Sequence, residues 1–520
     1  MPKFGTIMAQ HWRAVVTIVF GIGVFLFWFV ASPQWLSYWE QMQLFRWESS
    51  YFINDISISG GLADYLGEFI VQFYYVEWLG ALLLALLFIA IQRVTYIVLA
   101  DFLPTKARTI WLYVVSFSIA ILMWLLLGDI NVMLSFPIAC ALSLLAVWLM
   151  NRWQRRWHYA VWFDLLIAPA IFWLFGGGAS WLYVVVRLLY LVKSQRQFVY
   201  TASLLYLLAI QAIAAQTVLT QWPKKSVFVG LNYYFIPMQY VGQHIGFDPI
   251  LRKVLMSDYL VRHERWSEII ARSEERHVRD NFTLNCINLA LSQERQLAER
   301  MFDFYQVDEG SLLMSRVRDC MSNYPTMEAF WRLGLVNSCL RYASDLQESI
   351  YNGRKSGRLV KRIAECHIVN GNYDLARKNL GLLKLSTFYR SWAIETEKLL
   401  EDESRVASHP IYGRLRSFRL IDKIYFSYPE KEKILGRLFI KNQNNKMALD
   451  YFLGDLLLKG DFKSFARYST WVQQYGGYQK VPRGYMDAAQ FIQSQGNVKF
   501  SPYAEYAKRM MKKWKKNEKQ

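Results

Sequence analysis

A run of 22 residues without a charged side chain, at positions 198–219, is the sequence feature that most constrains the fold. An α-helix rises about 1.5 Å per residue, so this run is just long enough to cross a hydrocarbon core of roughly 30 Å. The chain before it is almost entirely apolar, whereas the 301 residues after it contain no comparable run. We therefore expect an all-α protein in which a polytopic bundle of transmembrane helices precedes a large segment outside the bilayer.

Seven apolar segments are predicted to span the membrane, and together they make residues 1–220 a transmembrane domain. The spans lie near residues 14–31, 78–99, 109–127, 132–150, 159–175, 180–192 and 198–219. Lys and Arg concentrate in every second loop, namely residues 1–13, 101–108, 151–158 and 193–197. Because membrane insertion retains basic loops in the cytoplasm, this alternation predicts a cytoplasmic N-terminus and a C-terminal segment in the periplasm of a bacterium, anchored in its inner membrane.

Residues 227–242 could reverse this orientation, because they form another apolar run of 16 residues. As an eighth span they would return the C-terminal segment to the cytoplasm. Asn232, Pro237 and Gln239 interrupt the run, and its length is short for a span. We therefore interpret residues 221–255 as a linker lying at the membrane interface.

The first outer loop, residues 32–76, contains a pattern typical of an amphipathic helix over residues 62–76. Leu62, Leu66, Phe69, Phe73 and Val76 recur at helical spacing on one side, and an acidic stripe of Asp64, Glu68 and Gln72 lies opposite. Two interpretations follow. The favoured one is a helix lying flat on the outer leaflet with its acidic stripe solvated; the other is a site for a divalent metal or a polar substrate group.

Three charged residues, Arg93, Asp164 and Arg187, fall inside predicted spans, where a charge costs roughly 3 kcal/mol on insertion scales. Counting from the inner ends of their spans puts all three roughly 8–9 Å below the cytoplasmic face. Our hypothesis is that Asp164 pairs with Arg187 and that Arg93 joins this intramembrane charge cluster. The alternatives are arginines that extend to the lipid headgroups, or a role in transport or catalysis.

Residues 256–500 are predicted to form an α-solenoid, because helix–turn–helix patterns recur along them. The positions that mark the turns and the start of each second helix are Trp266, Leu297, Gly371, Tyr373, Ala376, Gly460 and Phe462. Residues 371–376 are similar to the G-x-Y-x-x-A core of a tetratricopeptide repeat, and Leu297 follows Trp266 at 31 residues, close to that repeat's period of 34. The other turns depart from the core, which makes the repeats degenerate and leaves an irregular helical stalk as the alternative.

Charge and composition restrict the partners and cofactors. Beyond Thr220 the chain carries +16 of its net charge of +19, and residues 501–520 form a basic tail. In a membrane-attached protein such charge favours an anionic lipid surface over nucleic acid, so the lipid bilayer is a predicted partner and nucleic acid is not.

The five cysteines show no C-x-x-C spacing and the seven histidines are scattered, so no metal site is predicted and buried free thiols are favoured over disulfides. Phosphate-loop, dinucleotide-binding and nucleophile-elbow motifs are absent from the sequence, and no cofactor is predicted.

The order of an inward-to-outward first span, a long acidic outer loop and a further block of spans resembles the GT-C class of polyprenyl-phosphate-dependent glycosyltransferases. The resemblance covers residues 1–219 and rests on topology. Enzymes of this class carry an acidic residue, often Asp-Asp or Asp-Glu, early in the first outer loop, where this chain has only the isolated Glu40, Glu48 and Asp55. The resemblance implies Glu48 or Asp55 as a general base or metal contact, and a divalent metal as the only cofactor.

The whole chain also resembles a family of bacterial inner-membrane proteins from Bacteroidota-type genomes that join a seven-span block to a periplasmic helical-repeat segment. This resemblance is carried by residues 60–66, Phe73 and residues 78–80, 371–376 and 387–393, and it implies no reaction. Two functions follow from the sequence. One is an envelope scaffold that anchors a helical-repeat domain and recruits a protein or a polymer; the other is a glycosyl- or lipid-group transferase at the outer loop.

Overall fold

The computed structural model divides the chain into two compact units. Unit 1 comprises Met1–Leu251 together with the short segment Leu385–Phe388, and unit 2 comprises Arg252–Lys384 and Tyr389–Gln520. The structure describes residues 4–102, 110–192, 197–220, 246–274, 278–350, 353–420, 427–476, 478–497 and 500–517. Every regular element within these ranges is helical, which confirms the all-α class for the described part of the chain.

Unit 1 is built from helices that follow the apolar runs of the sequence. In chain order they are α1 (Phe4–Leu26), α2 (Pro33–Gln41), α3 (Ser49–Ile56), α4 (Gly61–Val71), α5 (Glu77–Phe102), α6 (Ile110–Val115), α7 (Phe117–Leu126), α8 (Ser135–Arg156), α9 (Asp164–Phe175), α10 (Gly177–Val192) and α11 (Gln197–Thr217). Shorter helical turns at Phe27–Ala31, Gln72–Tyr75 and His158–Phe163 extend α1, α4 and the start of α9.

Three helical segments among the described residues are long and apolar enough to cross a membrane: His11–Ala31, Glu77–Phe102 and Ser135–Arg156. Shorter apolar helices occupy Ile110–Leu126, Asp164–Phe175 and Leu205–Thr217, inside three further predicted spans. The seven crossings therefore remain a prediction. Residues 227–242, the possible eighth span, lie outside the described residues.

Side-chain contacts join the helices of unit 1 at both of their ends. At one end, Arg155 of α8 forms an ion pair with Asp101 of α5 at 2.8 Å and donates from Nε to the Tyr190 hydroxyl of α10 at 3.2 Å. At the other end, the Trp173 indole of α9 donates to the Ile56 carbonyl at 3.0 Å. The C-terminal ends of α5, α8 and α10 therefore lie on the same side of unit 1.

Helix α4 lies where the sequence predicts an amphipathic helix, but Glu68 and Gln72 of the acidic stripe are buried and Asp64 is partly buried. Glu68 is only 3% exposed, and Asp64 Oδ1 accepts a hydrogen bond from Ser135 Oγ at 2.8 Å. The reason is Gly67 on the same face, because a Cβ there would lie 2.8 Å from Ser135 Oγ and 3.0 Å from Ser135 N. A small residue lets the start of α8 press against the stripe, so the solvated face expected from the sequence is a packing face.

Unit 2 continues as a succession of helices. They are α12 (Pro249–Arg262), α13 (Trp266–Glu274), α14 (Asn281–Gln293), α15 (Leu297–Arg300), α16 (Tyr324–Leu333), α17 (Val336–Glu348), α18 (Gly357–Asn370), α19 (Tyr373–Lys384), α20 (Arg390–Leu399), α21 (Glu403–Ser408), α22 (Tyr412–Phe418), α23 (Lys431–Lys441), α24 (Lys446–Lys459), α25 (Phe462–Tyr468), α26 (Thr470–Tyr475), α27 (Arg483–Gln493) and α28 (Pro502–Asn517). Its core is formed by α14 and α24, which are buried on all sides from Phe282 to Ser292 and from Ala448 to Leu458.

One turn type recurs between paired helices of unit 2. The first helix is followed by a residue whose φ lies between +54° and +83°. The backbone N–H of the residue after it donates to the carbonyl five residues earlier, at 2.9 or 2.7 Å. The second helix begins at the following residue. The left-handed residues are Glu264, Arg295, Gly334, Gly371 and Gly460. This arrangement is the Schellman motif, which satisfies the carbonyls at a helix end while reversing the chain. It produces the helical hairpins α12–α13, α14–α15, α16–α17, α18–α19 and α24–α25.

The last helices of unit 2 pack back onto the short segment that follows α14. The ring of Tyr503 in α28 lies 4.8 Å from that of Phe302, and Arg483 at the start of α27 forms an ion pair with Asp303 at 2.5 Å. In an open solenoid each repeat contacts only its neighbours. Because these contacts join elements about 180–200 residues apart, the α-solenoid remains a prediction, and the structure supports the coarser description of stacked helical hairpins.

Candidate functional site

A buried ion pair between Asp164 and Arg187 lies inside unit 1. Arg187 Nη2 is 2.6 Å from Asp164 Oδ2, Arg187 Nε is 3.2 Å from Asp164 Oδ1, and the two residues are 0% and 1% exposed. The Tyr183 hydroxyl donates to the same carboxylate. Asp164 opens α9 and Arg187 lies in α10, so the tight Gly176 turn between these helices brings the charges face to face.

The guanidinium of Arg187 also contacts two amides that the sequence analysis missed. It donates from Nη1 to Asn151 Oδ1 and from Nη2 to Gln154 Oε1, the latter at 3.0 Å. Both amides lie one turn apart on α8, which continues to Arg156 through the basic segment that the sequence indicated as a loop, so no local signal placed them in the cluster. The cluster therefore ties three helices together, since α8, α9 and α10 each supply a polar side chain.

Arg93, the third member of the predicted cluster, lies elsewhere in unit 1. Its guanidinium is 5.9 Å from the ring centroid of Tyr113. A cation placed over an aromatic face is a stabilising arrangement that needs no carboxylate. The structure thus brings together two of the three predicted charges.

The outer-loop candidates occupy different positions in unit 1. Glu48 precedes α3, with its side chain 39% exposed and 3.7 Å from Arg46, whereas Asp55 lies near the end of α3. Gln72 is 8% exposed and accepts a hydrogen bond from Thr387 Oγ1 at 2.7 Å, within the segment Leu385–Phe388. Among the described residues no three His, Cys, Asp or Glu side chains are grouped so that they could hold a metal ion.

Six of the seven predicted repeat positions of unit 2 lie at the recurring turns, and the seventh, Ala376, lies in the first turns of α19. Gly371 and Gly460 are the left-handed residues at φ +78° and +75°, while Trp266, Leu297, Tyr373 and Phe462 each begin the helix after a turn. Ala376 is fully buried, and the Tyr373 hydroxyl accepts from Arg416 Nη2 at 2.7 Å. The Gly334 turn was missed, although its glycine lies between two apolar helical patterns in the sequence.

A network of arginines surrounds Glu328 of α16 in unit 2. The carboxylate lies 2.6 Å from Arg332, 2.9 Å from Arg362 and 3.5 Å from Arg358, and Arg358 also pairs with Asp258 at 2.8 Å. Burial alone would raise the pKa of Glu328, but the three guanidiniums together hold it well below its usual range. The network joins α12, α16 and α18, so its charges fasten successive hairpins to one another.

Asp450 on α24 is a second buried carboxylate of unit 2. It accepts a hydrogen bond from the Tyr478 hydroxyl at 2.8 Å and lies 3.3 Å from Arg295 Nη1. Burial raises the pKa of Asp450 to about 6, against the smaller opposing effects of Arg295 and Tyr478. The acid is therefore partly protonated near neutral pH in the folded state.

We expect the raised pKa of Asp450 to make unit 2 less stable as pH increases from about 4 to about 6. The folded state holds the proton up to about pH 6, whereas the unfolded chain releases it near 3.8, so the folded state binds more protons in this window and its stability declines across it. The size of the decline is on the order of 3 kcal/mol. Asp450→Asn removes this penalty and should raise the melting temperature at pH 7.5 but not at pH 4.

Scanning fluorimetry of the detergent-solubilised protein at several pH values measures this difference. Asp374→Asn is the matched control, because the Asp374 side chain is fully exposed. An Asp450→Asn variant that follows the pH profile of the wild type would contradict the prediction.

A groove in unit 2 lies between α23 and the helices α25 and α26, with α24 beneath it. Its volume is about 690 Å³, within the range of roughly 300–1,000 Å³ that is typical of ligand sites. The lining combines aliphatic, aromatic and charged side chains: Ser427, Glu430, Glu432, Lys433, Ile434, Gly436, Arg437, Ile440, Phe452, Leu456, Asp461, Ser464, Tyr468 and Trp471. We call it the α23–α26 groove.

Comparison with known proteins identifies a family for this chain. Residues 9–516 match the model of a family described as a family of unknown function (DUF6057). No curated protein matches the chain, and no solved structure matches it.

Proposed function

The chain belongs to the DUF6057 family, and from that premise we propose that it is a membrane scaffold in which unit 1 is the anchor and unit 2 recruits a protein or an envelope polymer. The observation that carries this proposal is the construction of unit 2 from helical hairpins closed by one recurring turn. Stacked hairpins of this kind commonly present extended surfaces for binding partners. The apolar helices of unit 1 support the anchoring role.

We further propose that the protein is a multi-pass protein of a bacterial inner membrane, with its N-terminus in the cytoplasm and unit 2 in the periplasm. The basic loops that mark the cytoplasmic side support this orientation. The ion pair of Asp101 with Arg155 supports it as well, because it joins the ends of α5 and α8 that flank two of those loops.

Reporter fusions at the C-terminus test the orientation in cells. Alkaline phosphatase should be active there, and a fluorescent protein that matures only in the cytosol should stay dark. Fluorescence from the second fusion would overturn the periplasmic part of the proposal.

Photo-crosslinking in living cells tests the recruiting role. A photoreactive amino acid at the exposed Asp374 or Lys463 of unit 2 should give discrete adducts with a protein or polymer, while one at the exposed Leu166 of α9 should label lipid. Adducts should persist in a Glu48→Gln/Asp55→Asn variant, because a scaffold has no need of these carboxylates. The scaffold proposal would be contradicted if the unit 2 positions gave only the lipid adducts seen at Leu166. It would also be contradicted if the wild type formed a glycosyl- or lipid-transfer product that the double variant did not form.

A further inference from the structure

The α23–α26 groove has a continuous aromatic surface. The rings of Tyr468 and Trp471 lie 4.8 Å apart, and Phe452 lies 5.2 Å from Tyr468. Tyr468 and Trp471 are half-buried, so part of each ring remains open to the groove. Two residues of α23 also line the groove: Gly436, which presents no side chain, and Ile440, which is 63% exposed. Such a surface takes an apolar or aromatic side chain by burial and by ring stacking.

Most of the charged side chains that line the groove form ion pairs or hydrogen bonds with other residues of the protein. Lys433 pairs with Glu430 at 2.5 Å, Lys459 pairs with Glu432 at 2.5 Å, and Asp461 caps α25 by accepting from Ser464 N at 3.1 Å. Arg437 is the exception. It is exposed on α23, and no described residue forms a hydrogen bond or an ion pair with its guanidinium.

We propose that the α23–α26 groove binds an extended peptide segment in which a carboxylate side chain is next to an aromatic or aliphatic one. The carboxylate pairs with the guanidinium of Arg437, which can hold two oxygens at once in a planar fork. The neighbouring side chain lies on the rings of Tyr468 and Trp471.

This inference rests on the proposed scaffold function and gives it a binding site and a partner chemistry. The uncommitted positive charge favours an anionic segment over a basic or neutral one. The volume of about 690 Å³ accommodates a few residues of extended chain, and anchoring a few side chains in a groove is a common mode of peptide recognition.

Selection from a phage-displayed random dodecapeptide library tests the proposal on the full-length protein in detergent. Peptides with Asp or Glu adjacent to Phe, Trp, Tyr or Leu should be enriched on the wild type. A synthetic peptide from this set should bind at least tenfold more weakly to Arg437→Glu and to Trp471→Ala. Lys463→Glu is the matched control, because it makes the same charge change at an exposed α25 position outside the groove lining, and it should bind as the wild type does.

Arg437 is exposed, so Arg437→Glu should keep the melting temperature of the wild type, and that measurement separates lost binding from lost folding. Three results would overturn the proposal: no enrichment, enrichment of basic peptides, or equal binding to Arg437→Glu. The proposal would also be overturned if polygalacturonate, an anionic polymer, bound through Arg437 and the peptides did not bind. If crosslinking in cells still captures a partner with Arg437→Glu, the scaffold stands and only this site fails.

Discussion

Arg187→Met should destabilise unit 1 by about 3–5 kcal/mol, because it leaves the carboxylate of Asp164 buried without its cation. The environment makes this cost large. Asp164 and Arg187 are almost completely buried, and Arg187 is shared among side chains of α8 and α9. The variant should lower both the yield of protein in the membrane fraction and the melting temperature of the purified protein in detergent.

Two further variants test whether the loss of stability comes from breaking the ion pair. Asp164→Leu/Arg187→Met should recover part of the loss, because a pair of apolar side chains leaves no uncompensated charge in the core. Arg93→Met is the matched control, since its guanidinium contacts the ring of Tyr113, an interaction worth only about 0.5–1 kcal/mol. If Asp164→Asn leaves yield and melting temperature unchanged, the ion pair is not a stabilising element of unit 1.

Glu328→Gln should have the second large effect, a loss of about 3–5 kcal/mol in unit 2. Glu328 is the common anion of three arginines. Its removal leaves three neighbouring cations in a largely buried site, each with one remaining carboxylate: Glu264, Asp258 or Glu365. In a unit of this size the loss corresponds to a fall of roughly 6–20 °C in melting temperature. Thermal unfolding in detergent near pH 7 measures it, with Glu395→Gln as a control at an exposed position of α20.

The pH dependence of the Glu328→Gln effect supplies an independent check. The folded state depresses the pKa of Glu328, so the carboxylate stabilises the fold above the usual glutamate pKa, and this contribution is lost as pH falls through the folded value. The difference between variant and wild type should therefore be largest above about pH 5 and should shrink in acid. A difference that stays constant down to pH 3 would mean that the charge of Glu328 is not what stabilises the network.

Local pattern was sufficient to predict the helices and several of the turns. Uncharged runs indicate the apolar helices because a backbone in lipid must satisfy its hydrogen bonds internally. Gly371 and Gly460 indicate chain reversals because glycine adopts a positive φ without strain. Counting residues from the ends of adjacent spans was enough to suggest that Asp164 and Arg187 meet, since two helices joined by a tight turn must be antiparallel.

Other features depend on contacts between distant parts of the chain, which a single sequence does not reveal. The burial of Glu68 follows from the close approach of Ser135 to Gly67, about 70 residues away. The turns at Glu264 and Arg295 use residues that rarely adopt a positive φ, so their conformation could not be read from residue type. The return of α27 and α28 onto residues 298–309 likewise has no local signature, and without it an open solenoid is the natural expectation.

That return contact has a consequence for biosynthesis. Residues around Phe302 leave the ribosome roughly 200 residues before Tyr503, and at about 5–20 residues per second the delay amounts to roughly 10–40 s. During this interval the segment after α14 is already made but lacks the helices that cover it. Unit 2 therefore cannot close until the residues around Tyr503 have been made, and a chaperone that shields nascent apolar surface has this interval in which to act.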